Sequence, residues 1–483
     1  MHQLNLLDGG SPDDECLRDT GGHSYTRADL DSLSTQVRAF LGDGRKSLVF
    51  CRGTRNVETL AWLLGALAGG HAMALLPPDG PTGDEESLSA YRPEYVVDAV
   101  GDGRCPPGYR AIGRLMASTL FSRTAPAEDD RPPHPETALL LATSGSLATP
   151  KMVRLSYRNL YSNATAIVEA LSLGPGDRGI TSLPITYSYG LSVVTSHLVA
   201  GAGLVVCAAS PTSRYFWSQV RHHGVTDFAG VPVTYEILRS GRKPFTPPPT
   251  MRLMTSAGGR LERGHVEYFA QLAARHGAEF AVMYGQTEAT ARISCHRGAG
   301  VLARPDSVGT PVGTGSISIQ DESGAPLPEG QVGEIVLSGP SVMLGYARSR
   351  MDLADGSRTG GVLPTGDLGH VRDGLLYVSG RLRRIAKPFG VRVSLDEVES
   401  LLRPSGSVAV VEDGRGNLLA AVEGAPAAFE EHRSRVLRTL RLPPEALVLC
   451  PVDRIPVTGS GKVDYAAVAA QVAARGESAW PRP

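Results

Sequence analysis

The chain has 483 residues, 42% of them apolar and 20% charged, a length and composition that call for two or more globular domains. With 48 Lys and Arg against 49 Asp and Glu, the net charge of -1 gives no field that would gather nucleic acid or anionic lipid, so partners are expected to be small or locally recognised. Six scattered cysteines without a C-x-x-C pair, no basic-plus-apolar leader and no membrane-length apolar run point to a reduced, cytoplasmic protein without a zinc or disulfide framework and without a membrane partner.

Taken in order, the chain opens with an amphipathic helix whose apolar residues are Leu30, Leu33, Val37 and Leu41, with Thr26 as its candidate cap. A buried strand at 47–51, a helix at 58–68 that is apolar nearly all round, and a strand at 72–76 form a parallel strand-helix-strand unit, read as scaffold. A polar, Pro-rich connector at 124–135 leads to Leu139, Leu140, Leu141 and Ala142, a short buried strand.

That strand empties into Thr143, Ser144, Gly145, Ser146, Leu147, Ala148, Thr149, Pro150 and Lys151. Small hydroxyl residues and exposed backbone N–H groups can face an anion at close range, and Lys151 adds a point charge. Pro150 before the lysine and the lack of a hydroxyl after it argue against a P-loop NTPase. The stretch resembles the phosphate loop of the adenylate-forming superfamily, the AMP-dependent synthetases and ligases that include acyl-CoA synthetases, non-ribosomal adenylation domains and luciferases.

Further stretches match that superfamily in the same order. After a helix at 160–171, Leu183 and Pro184 lead into Tyr187, Tyr189 and Gly190, where the resemblance places a wall of the acyl pocket and where the family often has His in place of Tyr187. Val231, at the end of a further strand, is taken as a pocket residue with them. Tyrosine offers a flat apolar face and one polar tip, so this wall points to an aryl or apolar acid. The Phe-Asp pattern that amino-acid adenylation domains use for the substrate ammonium is absent.

Apolar strands then run twice into small residues, as at the ligand-binding edge of an open parallel sheet. By resemblance, Ser256, Ala257 and Gly258 lie against the adenine. In Tyr284, Gly285, Gln286, Thr287 and Glu288, the tyrosine can stack on a base and Gly285 allows close backbone approach. Thr287 can bond a phosphate oxygen, and Glu288 can hold Mg²⁺ through a hard carboxylate oxygen. Met343 to Tyr346 matches the family's M-x-G-Y. Asp367, in a Thr-Gly-Asp turn, takes the family's ribose role, and Arg381 the nucleotide contact. Near the end, Pro456 to Lys462 matches P-x-T-x-x-G-K, with Lys462 as the catalytic cation beside Thr287 and Glu288.

The fold these matches imply is α/β. A large N-terminal domain of parallel-rich sheets packed with helices spans 1–382, and a small α+β C-terminal lid on a hinge spans 383–483. Within the lid, 394–402 and 427–440 read as helices, and 408–412 and 418–423 as strands. Arg383 occupies the hinge position, where the family often has Asp or Lys, and Arg384 makes it doubly basic.

The implied chemistry is attack of a carboxylate on the α-phosphate of Mg-ATP, release of pyrophosphate, and transfer of the acyl group to a phosphopantetheine thiol. That thiol belongs to CoA or to an acyl or peptidyl carrier protein. Gly390 would line its path. Two alternatives stay open: with the unusual Arg383 hinge bearing on the thiol step, an adenylating enzyme whose nucleophile is an amine or a small inorganic nitrogen species, and, from Leu147 and Ala148 in place of the family's hydroxyl and glycine, a catalytically silent nucleotide-binding homologue.

Overall fold

Short apolar runs alternating with amphipathic helices build two large mixed sheets in the computed structural model of the chain. It describes every residue except 1, 43, 79–84, 126–130, 143–150, 242–243, 387, 391–392, 414–416, 441, 459–461 and 477–483. Packing groups the chain into two units, Met1–Ile317 with Leu337–Leu363, and Ser318–Val336 with Pro364–Pro483. This division passes through the strands of one sheet and not through the junction at 382–383. A compact unit is a matter of packing and a hinge a matter of motion, so the two boundaries measure different things.

In the first unit, six parallel strands lie side by side in the order Glu15–Asp19, Gly203–Val206, Arg178–Ile180, Asp227–Gly230, Leu253–Ser256 and Glu279–Tyr284. Antiparallel strands flank them, Ser24–Thr26 on one edge, Ser294–Arg297 and Thr310–Pro311 on the other. A second sheet has four parallel strands at its centre, Tyr95–Asp98, Leu48–Arg52, Ala72–Leu76 and Thr137–Ala142. The expected strand-helix-strand unit is present, and its helix, Val57–Ala68, is buried on nearly every face, with Trp62 fully enclosed. Strands covered on both faces require such continuous apolar runs.

Local chemistry sets the helix ends. Thr26 accepts from the Asp29 N–H while the Asp29 carboxylate accepts from the Thr26 N–H, a reciprocal cap on Arg27–Leu41. The helix expected from 160 begins at Tyr157, because Ser156 and Asn159 form the same reciprocal cap. It ends with Ser172 in the left-handed conformation.

The second unit holds an antiparallel sheet in the order Ser316–Gln320, Gly333–Ser338, Val362–Arg372 and Leu375–Arg381. It also holds a three-stranded sheet, Val408–Glu412, Leu418–Glu423 and Leu447–Val452, with helices Leu395–Leu402, Glu430–Thr439 and Tyr465–Gly476. The last strand and helix escape the sequence pattern. The strand carries Pro451, and the helix is alanine-rich, which dilutes its apolar period. Arg384 is not surplus charge: it donates to Asp396 and Glu399, and its guanidinium lies 3.6 Å from the Tyr465 ring centroid. All six cysteines are free thiols, and among the described residues no helix is long and apolar enough to cross a membrane.

One ion pair ties the second sheet's rim together. Arg350, fully buried, donates to both oxygens of Glu94, at 2.6 and 2.9 Å, and Glu94 also accepts from the Leu48 N–H. Removing one member of a buried pair strands the other charge at a cost of about 3 kcal/mol or more. Glu94→Ala should therefore lower the urea unfolding free energy by about 3 kcal/mol. Arg350→Met should cost less, because Glu94 keeps 19% of its side chain in water and its backbone donor. Equal losses would show that the pair does not carry the rim.

Candidate active site

The carboxyl ends of the parallel strands open onto loops, and the chain reverses tightly at one of them. Glu279–Tyr284 runs into Gly285, where a Cβ would overlap the carbonyl oxygen of Ala291, so only glycine fits. A single helical turn, Thr287–Ala289, is followed by Thr290 at φ 69° and ψ -58°. The Ala291 N–H bonds the Ala289 carbonyl at 2.8 Å, which makes Thr290 the centre of a γ-turn, a strained geometry for a β-branched residue. Its hydroxyl donates to the Ser341 carbonyl at 2.6 Å, and Ile293 returns beside Tyr284 with an N–H bond of 2.7 Å.

This reversal holds Thr287 and Glu288 at its tip. Thr287 Oγ1 lies 3.1 Å from Ser188 Oγ, on the first turn of helix Ser188–Val199. The Glu288 carbonyl accepts from the Met343 N–H at 2.9 Å, and Glu288 Oε1 accepts from the Tyr346 hydroxyl at 2.9 Å. The ring of Tyr346 in turn carries Lys151, whose Nζ stands 3.2 Å from its centroid. Tyr346 therefore joins the expected phosphate lysine to the expected magnesium carboxylate. Buried Arg154 steadies it, donating to the carbonyls of Leu344, Asp355 and Gly356 and pairing in register with Gly345. Thr143, Ser144, Gly145 and Ser146 lie outside the described residues.

The tyrosine wall is also assembled. Tyr187 and Tyr189 meet edge to face, with centroids 6.3 Å apart. Tyr189 is buried, and its hydroxyl contacts Thr255 Oγ1 at 2.8 Å and the Thr255 carbonyl at 3.1 Å. Burial pushes its phenol above the ordinary tyrosine range. Gly190 permits the helix to start against the Pro184 carbonyl, which a Cβ would strike. Gly258, at φ 86°, is packed by the Tyr187 hydroxyl and Val231. Ser256 and Ala257 are both buried, and the Ser256 hydroxyl has no hydrogen-bond partner among the described residues.

In the second unit, Asp367 and Arg381 face each other in register, with Arg381 Nε donating to Asp367 Oδ1 at 3.0 Å. Asp367 is buried, while Arg381 keeps 60% of its side chain exposed. Gly366, at φ 71°, shapes the turn and donates to Glu334 at 2.9 Å. Lys462 is half-buried, its carbonyl accepting from the Thr458 N–H at 2.7 Å and its N–H donating to Thr458 Oγ1 at 3.3 Å.

Two contributors had been given no role. Tyr346 was a family match without an assigned role. Arg292 carries no motif at all, yet it is buried beside Tyr189, its guanidinium carbon 4.9 Å from that ring's centroid. Among the described residues no group of three or more His, Cys, Asp or Glu stands at metal-binding distance. A nucleotide-borne Mg²⁺ needs only one or two carboxylates beside phosphate oxygens, which fits Glu288. If Tyr346 orients that carboxylate, Tyr346→Phe should reduce adenylation about 10-fold and raise the Mg²⁺ concentration for half-maximal rate. Tyr346→Ala, which also removes the face beneath Lys151, should reduce it further. An unchanged Mg²⁺ dependence in Tyr346→Phe would remove that role.

Comparison with known proteins gives this arrangement a family. Residues 8–347 match the AMP-binding enzyme model. The chain is 33% identical to sulfoacetate–CoA ligase of Cupriavidus necator, over 69% of this chain and 67% of that one. It is 26% identical to oxalate–CoA ligase of Saccharomyces cerevisiae, over 78% and 70% respectively. Its fold is shared with ATP-bound MatB from Rhodopseudomonas palustris, at TM-score 0.77 and 22% identity over 97% of this chain and 99% of that one. The chain belongs to the AMP-binding enzyme family, as an AMP-forming acid ligase.

Proposed function

We propose that the chain joins a small carboxylic acid to the thiol of CoA through an acyl-adenylate, with the acid lying along the wall formed by Tyr187, Tyr189, Gly190, Val231 and Gly258. The observation that carries this reading is the connected set Lys151, Tyr346, Glu288, Thr287 and Ser188 at one sheet edge. It gathers a cation, a hard carboxylate and two hydroxyls, groups suited to a magnesium-bound triphosphate. Adenylation asks for orientation and charge stabilisation more than for covalent chemistry, and this set supplies both.

In this reading Lys151 and the Thr143 to Ser146 hydroxyls hold the outer phosphates, and Glu288 would hold Mg²⁺, which neutralises phosphate charge when bound. Tyr284, Gly285, Ser256, Ala257 and Gly258 take the adenine. Asp367 accepts from the ribose hydroxyls, with Arg381 orienting it. Lys462 supplies positive charge to the oxygen that passes from acid to α-phosphate. CoA is the acceptor we favour over a carrier protein or an amine, because both sequence relatives described above are named as CoA ligases. Those two are named for acids with two anionic groups, whereas the tyrosine wall alone suits an aryl or apolar acid.

Acid-dependent pyrophosphate release should fall about 100-fold or more in Lys462→Ala, with the melting temperature unchanged. Adding CoA to the wild-type reaction should yield a thioester. Faster consumption of the adenylate by an amine than by CoA would favour a nitrogen acceptor. ATP binding without release toward any acid would favour the silent homologue.

A further inference from the structure

Resting on the ligase reading above, we propose that the acid carries a second anionic group, a carboxylate or a sulfonate, and that Arg292 holds it at the inner end of the acyl pocket. Arg292 is 3% exposed, and among the described residues no carboxylate pairs with it. Its guanidinium has five N–H donors. The structure gives them two side-chain acceptors, Ser192 Oγ at 3.1 Å from Nε and Met283 Sδ at 3.1 Å from Nη1. A thioether is a weak acceptor, and the Ser192 hydroxyl already donates to the Tyr189 carbonyl.

The other enclosed arginines of this unit are disposed differently. Arg27, Arg55 and Arg154 direct their guanidinium groups at backbone carbonyls, and Arg52 and Arg350 theirs at carboxylates. Arg292 alone in this comparison faces a hydroxyl, a thioether and an aromatic ring. Burial lowers its affinity for a proton, but guanidinium starts so far above neutrality that it stays charged. A buried charge without a counter-charge is costly, and an anionic ligand is the chemistry that completes it.

Its neighbours belong to the proposed acyl wall or adjoin it. Ser192 lies one turn beyond Tyr189 on helix Ser188–Val199, and Met283 is near the carboxyl end of its strand. Tyr189, whose face the guanidinium covers, is fixed by its hydroxyl to Thr255 at the end of the next strand. Asn163 holds the Arg292 backbone from a separate helix, its Nδ2 donating to the Arg292 carbonyl at 2.8 Å. A planar, fixed guanidinium suits bidentate capture of a carboxylate or sulfonate better than a flexible ammonium would.

The test is acid-dependent pyrophosphate release by the wild type, Arg292→Leu and Arg292→Lys on matched pairs. Each pair sets a straight-chain diacid or a sulfo-acid against the monocarboxylic acid of equal length, with aryl monoacids alongside. The wild type should prefer the doubly acidic member by about 100-fold or more in kcat/KM, as sites built around a polar group reject analogues that lack it. Arg292→Leu should lose about that factor on the doubly acidic member and far less on the monoacid, and Arg292→Lys should keep part of the preference. The diacid and sulfo-acid arms separate the two anions. A wild-type preference for monoacids overturns the proposal and leaves the ligase reading standing. Equal loss on both members in Arg292→Leu does the same, since it marks a structural role. Silence toward every acid overturns both. If Arg292→Leu does not fold, the wild-type ratio still decides.

Discussion

The candidate site depends on one backbone crossing, that of Gly285 against Ala291. The two segments approach so closely that no side chain fits at 285, and the chain can return only through a γ-turn at Thr290. A β-branched residue at positive φ is strained, and such strain persists only where surrounding bonds over-determine it. Here the Thr290 hydroxyl to Ser341, the Thr290 N–H to Thr287 and the Ile293 N–H to Tyr284 do so. One reversal thereby sets two directions at once. Glu288 projects at the tip toward Tyr346, and Arg292 turns back into the interior against Tyr189.

Tyr346 serves a different purpose from the tyrosines of the pocket wall. Its ring and its hydroxyl are engaged by groups of opposite charge, Lys151 over the face and Glu288 at the tip. A direct Lys151–Glu288 ion pair would neutralise both groups before any nucleotide arrived. The aromatic ring between them engages the lysine by its face and the carboxylate by its hydroxyl. The strand that carries Tyr346 is short, and buried Arg154 compensates by binding three carbonyls around it.

Much of this was legible in the sequence, for reasons that differ by element. Strands such as Leu48–Arg52, Ala72–Leu76 and Thr137–Ala142 are short and mainly apolar, and the cap at Thr26 is local chemistry, so these could be read directly. Glu288, Asp367 and Lys462 were legible through ordered motifs. Arg292 was not, because one arginine after a motif, flanked by Ala291 and Ile293, has the pattern of any strand edge. Its burial follows from the γ-turn, and nothing in the composition of that stretch announces one. Arg384 read only as a second basic residue at the hinge, because its partners, Asp396 and Glu399, lie a dozen or more residues away. The Tyr187 and Tyr189 wall was anticipated, but a wall seen alone suggests an apolar guest.

Wall and cation together define a different guest. An aromatic face supports a guanidinium through its quadrupole without supplying a counter-charge, so Tyr189 can keep Arg292 buried and charged while its in-plane donors meet only a hydroxyl and a weak thioether acceptor. Were an aspartate there instead, the pair would be satisfied in the free enzyme, and an anionic substrate would have to break it to enter. A buried guanidinium without a carboxylate partner carries a cost that an anionic guest would offset. Binding energy made available far from the reacting carboxylate can then hold that carboxylate in line with the α-phosphate, which is where the chemistry needs it.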